Sequence, residues 1–114
     1  MLERRVLIAM FDFETLSTGD GAAGVYVPDN VQITHVSRFG TTAGSPGTAT
    51  IDLQDDGTDI SGATAIAISA NGLTTLTTPA SVAAASVIEV DCNLSGGTSP
   101  TYTGQIGLWG FVDE

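Results

Sequence analysis

Two stretches of this chain alternate apolar and polar residues with a strict period of two. In 48–54, Ala49, Ile51 and Leu53 face one way, and Thr48, Thr50, Asp52 and Gln54 face the other. In 88–94, Ile88, Val90, Cys92 and Leu94 oppose Glu89, Asp91 and Asn93. That period belongs to a strand with one dry face and one wet face. Further strand signals fall at 6–13, 24–27, 31–39, 58–61, 64–69, 73–78 and 103–112, separated by Gly, Asp, Ser, Asn or Pro. No segment sustains a helical period. The best helix candidate is a single turn in "PASVAAAS", residues 79–86, opened by Pro79. Regular turns without helices predict an all-β fold: one antiparallel β-sandwich, jelly-roll-like, in a single domain. We place an N-terminal arm at 1–5 and the sandwich at 6–114.

Charge narrows the function. The chain has 114 residues, enough for one modest core, and a formal net charge of −10, with 13 acidic residues against three arginines. A surface this acidic repels phosphate backbones and argues against nucleic-acid binding. Arg4 and Arg5 are the only clustered positive charge. The single cysteine, Cys92, cannot form an internal disulfide. The N-terminus "MLERRVLIAMFDFET" reads as a strand rather than a signal peptide, because Asp12 and Glu14 interrupt its apolar run. No segment has the length expected of a membrane span, and the chain is expected to stay in a cytoplasm until whatever it belongs to leaves the cell.

The acidic stretch "TATIDLQDDGTDIS" invites comparison with a calcium loop. With Asp52 at position 1, Asp56 and Gly57 fall at positions 5 and 6, but position 12 falls on Ala63, so the bidentate carboxylate is missing. An Asp-Gly pair between two strand-like runs is instead a strong hairpin signal. Asp55 and Asp56 are therefore expected on a solvated tip; whether that tip also holds a cation stays open.

No catalytic constellation is apparent. His35 has no Gly-x-Ser-x-Gly elbow to accompany it, Cys92 reads as a small core residue, and the glycine-rich "SGGTSP" at 95–100 lacks the lysine of a phosphate loop. One histidine and one cysteine make no zinc site. No enzyme activity, cofactor or metal is expected.

The terminal strands are apolar on both faces. Val6, Ile8 and Met10 oppose Leu7, Ala9, Phe11 and Phe13, and Ile106 and Leu108 oppose Trp109 and Phe111. A sandwich strand has one dry face, so the second face predicts a cover, and exposed apolar patches of this kind mark interfaces. The candidate interface residues are Leu2, Arg4, Arg5, Leu7, Phe11, Phe13, Trp109 and Phe111. Tyr102, beside Pro100, is the candidate for an exposed ligand contact.

The run "GVYVPDNVQITHVSRFGTTAG", then "GTATIDLQDDGTDI", "SVIEVDCNL" and "GLWGF", resembles a family of small β-sandwich domains in the virion proteins of tailed phages. The resemblance covers residues 24–112; "ASVAAAS" departs from it where the family often has a Gly-Asp turn. It implies a virion-surface protein of the capsid decoration (cement) or head-fibre type. Together with the two-sided terminal strands it implies a homo-oligomer, most naturally a homotrimer, whose N-terminal arm, with Leu2, Arg4 and Arg5, is expected to dock on the major capsid protein or another virion protein, or to pair with a neighbouring subunit. The chain's shortness and its own initial methionine suit a stand-alone accessory. A receptor-binding, glycan-binding knob or tail-fibre module is the alternative.

Overall fold

The computed structural model describes residues 4–17, 19–68 and 70–113. Among these residues nine strands form and no helix does: β1 (Val6–Leu16), β2 (Gly19–Val27), β3 (Asn30–Ala43), β4 (Thr48–Asp55), β5 (Thr58–Asp59), β6 (Ile66–Ala67), β7 (Gly72–Val82), β8 (Ser86–Ser95) and β9 (Thr101–Asp113). Four of them make sheet A, in the order β1-β9-β3-β7. The others make sheet B, in the order β2-β8-β4-β5, with β6 also on the outer edge of β4. All pairings are antiparallel. Outside β4–β5–β6, every connection crosses from one sheet to the other, which is the double Greek key of a jelly roll.

The alternation in the sequence becomes the core. Ile51 and Leu53 on β4 and Ile88, Val90 and Cys92 on β8 point inward from sheet B and are fully or almost fully buried. Phe11, Ile33, Ile106 and Leu108 meet them from sheet A in one continuous cluster. Burial of this apolar surface, worth roughly 25 cal/mol per Å² removed from water, is what holds the two sheets together.

The acidic stretch is a two-residue hairpin turn. Asp55 pairs with Thr58, and Asp56 (φ 51°) and Gly57 (φ 86°) both take left-handed conformations. This is the type I′ arrangement that fits the twist of the flanking strands and favours Asp-Gly. Three of the four carboxylates of this stretch accept hydrogen bonds. Asp56 Oδ1 accepts from the Val87 N–H at 2.8 Å, and Asp59 Oδ1 accepts from Gln54 Nε2 at 3.0 Å. Asp52 Oδ1 accepts from the Ala65 N–H at 2.7 Å, and Asp52 Oδ2 from Asn93 Nδ2 at 3.1 Å. Asp52 thereby pins the loop that interrupts the edge strand between β5 and β6. Among the described residues, no group of three or more His, Cys, Asp or Glu is placed to hold a metal ion.

Two sequence expectations are corrected. "PASVAAAS" contains no helical turn: β7 runs through Pro79 to Val82, and the chain turns at Ala84–Ala85. Pro79 sits where β7 leaves its regular register with β3, so its missing N–H costs no ladder bond there. In β1, a bulge between Leu7 and Ala9 reverses the alternation. Leu7 is therefore exposed with Met10, not aligned with buried Ala9, Phe11 and Phe13.

One charged side chain enters the core. Arg38 is 8% exposed, its Nη1–H donates to Asn71 Oδ1 at 2.9 Å, and its guanidinium lies 5.2 Å from the centroid of the Tyr102 ring. Cation–π attraction and the Asn71 bond offset the desolvation of this charge. Its Nε finds no acceptor among the described residues.

Two outcomes test this description. Asp52→Ala removes the acceptor of the Ala65 N–H and is expected to lower stability by about 1–2 kcal/mol in urea unfolding, whereas Gln54→Ala stays within about 0.5 kcal/mol of the wild type. Burial, with Asp91 adding to it, pushes the Cys92 thiol from 9.0 up to about 11. The folded protein is thus expected to resist a thiol reagent at pH 8 and the urea-unfolded chain to react fully. Because the folded value is the raised one, this contribution to stability is complete below pH 9.0 and is lost as pH rises through about 11.

Candidate functional site: the outer face of sheet A

The inner rows of sheet A fill the core, and its outer rows carry an apolar, aromatic face. Met10 on β1, Gly107 on β9, Ser37 on β3 and Leu73 on β7 form one cross-strand row. Leu7, Trp109, His35 and Thr75 form the next. A bulge at Thr34 sets the second row, placing His35 rather than Thr34 opposite Trp109. Phe111 continues the face on β9, and Phe39, 73% exposed, lies beyond Ser37 on β3.

Trp109 is the fixed point of this surface. Its Nε1–H donates to Ser37 Oγ at 2.8 Å. Gly107 makes room for that bond: a Cβ at this position would lie 2.5 Å from Ser37 Oγ and 3.0 Å from Trp109 Nε1. With its polar atom satisfied by a neighbouring strand, the indole presents its apolar body outward. Arg5, Ser37, Leu73 and Trp109 line a shallow recess of about 310 Å³. Arg4 flanks a second one with Val6, Phe111, Val112 and Asp113. His35 stands beside this cationic end; partial burial and then the Arg5 charge hold its imidazole below the usual 6.5, so it is neutral at pH 7. Its Nδ1 lies 2.8 Å from Thr34 Oγ1. Cys92 lies apart from this cluster, buried on the inner face of the other sheet.

The structure sorts the residues singled out from the sequence. Arg4, Arg5 and Leu7 are exposed and Trp109 and Phe111 half-buried, gathered where β1 and β9 run side by side. Phe11 and Phe13 do not belong to this surface: they are 1% and 9% exposed and point into the core, with Phe13 packed edge-on against Tyr102. Tyr102 is not an exposed contact either. It is 0% exposed, opens β9 facing inward, and donates its hydroxyl to the Gln105 carbonyl at 2.9 Å. Leu2 lies outside the described residues. Sequence reasoning missed Phe39, Leu73 and Ser37. Phe39 carried a signal, an aromatic one step out of phase with Val36 and Arg38, but only the β3 bulge shows which phase faces water.

The electrostatics of this cluster are directly testable. In the folded protein, the His35 imidazole is expected to titrate below 6.5 in NMR-monitored pH titrations. In Arg5→Ala its midpoint is expected to move part of the way back toward that value, the remaining depression being due to burial.

No protein-family model, no curated protein and no solved structure matches this chain.

Proposed function

We propose that this chain is a non-enzymatic structural protein of a tailed-phage virion, of the capsid decoration or head-fibre type, acting as a homo-oligomer through the outer face of sheet A. The observation that carries the reading is the composition of that face. Trp109, Phe111, Phe39, Met10 and Leu7, with Arg4 and Arg5 at one end, have the aromatic, methionine and arginine bias of protein–protein interfaces. A jelly-roll sandwich supplies a rigid slab on which such a face is held. The resemblance of residues 24–112 to phage virion sandwiches supports the location, and the acidic net charge suits a particle that must remain soluble at high copy number.

The mechanism is additive contact. Each copy removes apolar surface from water at roughly 25 cal/mol per Å², and many copies on one shell sum to a reinforcement that a single contact does not supply. Trp109 and Arg5 belong to the residue types that dominate interface energetics.

The glycan-binding alternative loses its loop contact with the burial of Tyr102 and rests on the Trp109 recess alone.

Binding to purified shells of the source phage tests the proposal. Wild-type protein is expected to co-sediment with shells, and Trp109→Ala to bind at least about tenfold more weakly with an unchanged circular dichroism spectrum. Gold-labelled antibody is expected over the heads in electron micrographs. Labelling at the tail tip, with glycan-dependent attachment lost in Trp109→Ala, would replace the decoration reading with the receptor one.

A further inference from the structure

The outer face of sheet A carries both signs of charge, and their placement along the strands is regular. On β1, Leu7 stands level with Trp109 of β9 and Met10 level with Gly107, so Leu108 marks the middle of the apolar patch. Asp12 is level with Gln105, three residues of β9 to one side. Arg5 directly precedes the Val6↔Gly110 pair and so reaches the level of Phe111, three residues to the other side. Both are exposed; Arg5 shares the outer phase with Leu7, and Asp12 shares it with Met10. Arg5 also lines the recess with Ser37, Leu73 and Trp109, which places it on this face. Glu14 extends the acidic end. Arg4 lies at the corner beside Asp113, where the two signs already meet within one chain, and His35 is neutral at pH 7. Arg5 and Asp12 are therefore the charges that a covering surface has to match. Seven residues of extended strand hold them roughly 20 Å apart, too far to pair with each other.

Apolar content decides which surface covers this face. Its centre is made of exposed Leu7, Met10 and Leu73 with half-buried Trp109. The outer rows of β4 and β8 instead hold Thr48, Thr50, Asp52 and Gln54, and Glu89, Asp91 and Asn93. Laid on those rows, the apolar centre would strip water from carboxylates and amides and offer them no partner. Laid on a second copy of itself, it removes apolar surface from water on both sides. Charge then sets the orientation. A two-fold axis along the strands lays β1 over the other copy's β7, which contains no charged residue, and leaves Arg5 and Asp12 against neutral side chains. An axis across the strands at the level of Leu108 turns the copies end for end. Arg5 then meets Asp12 of the other copy at both ends, and Met10 meets Leu7.

We propose that two copies of this chain pair through the outer faces of sheet A about a two-fold axis crossing the strands at Leu108, with Arg5 of each copy against Asp12 of the other and the Leu7, Met10, Leu73 and Trp109 patches between them. The proposal rests on the reading of this face as a contact surface and names its occupant; it does not depend on where in a virion the protein sits. The contact is isologous, so it closes at two copies. Apolar burial supplies the affinity, and the two ion pairs choose the orientation.

Charge reversal tests this, with folding checked by circular dichroism. In sedimentation velocity the wild type is expected to show a monomer–dimer equilibrium and nothing larger. Arg5→Glu sets like charges against each other at both ends of the contact, and so does Asp12→Arg; each is expected to dimerise at least about tenfold more weakly. The variant carrying both changes is expected to recover dimerisation, and an equimolar mixture of the two single variants to form a one-to-one dimer. The separation of the two sites within one chain means that neither recovery arises inside a monomer. Trp109→Ala is expected to weaken the wild-type dimer by about tenfold with all charges in place.

A wild type that stays monomeric at every concentration overturns the proposal. So do assemblies larger than a dimer, and so does a double variant that dimerises no better than the single ones. Shell binding by a monomeric wild type leaves the virion location standing and removes this pairing; dimerisation without shell binding does the reverse.

Discussion

Strand β9 pairs with β1 on one side and β3 on the other, and the fold depends on that double pairing. The last strand of the described chain closes the sheet that the first one opens, and the pairing runs from Val6↔Gly110 to Leu16↔Tyr102 with register shifts at Leu7/Ala9 and Phe13/Leu16. Contacts this distant in sequence cost loop-closure entropy before any burial offsets it. What offsets it is the inner row of β9, where Ile106 and Leu108 are fully buried against the far sheet. The same strand's outer row then has no freedom left. Once Ile106 and Leu108 point in, Gly107, Trp109 and Phe111 must point out, so the aromatic face is a consequence of core packing and not an independent surface decoration.

That coupling explains why an apolar patch of this size is tolerated on so acidic a chain. Burying Trp109 instead would require a one-residue slip of β9, which would turn Ile106 and Leu108 to water. The Ser37 bond to the indole and the absence of a Cβ at Gly107 fix the exposed arrangement rather than merely permit it. Arg38 belongs to the same logic from the inner side. It is the one arginine withdrawn from the surface, held by Asn71 and the Tyr102 ring, and its neighbour in sequence, Phe39, is consequently turned outward.

Much of this was legible in the sequence where one rule acted alone. On β4 and β8, each flanked by strands on both sides, alternation gave the inner and outer rows residue by residue, and Asp-Gly gave the turn. Legibility failed where the period was broken by something local. The β1 bulge moved Leu7 to the outer face, the β3 bulge set the phase of His35, Ser37 and Phe39, and neither has a residue signature of its own. Tyr102 looked like a loop residue because Pro100 precedes it, but β9 begins at Thr101 and takes the tyrosine straight into the core. "PASVAAAS" shows the limit of local propensity: alanines that suit a helix end β7 instead, because Ala80 and Val82 are drawn into the core beside Ile33 and Val31.

The distribution of charge follows from the same strand geometry. Sheet B's outer row is acidic because its strands alternate cleanly, and every polar position of β4 and β8 therefore reaches water on one side. Sheet A's outer row is aromatic because β1 and β9 spend both phases on apolar residues, leaving the arginines at the margin. A −10 chain that dispersed its charge evenly would repel its own copies from every direction. Sheet A instead carries both signs, with Arg4 and Arg5 at one end of β1 and Asp12 and Glu14 at the other, on either side of the apolar patch around Met10 and Trp109, while the outer row of sheet B is acidic throughout β4 and β8.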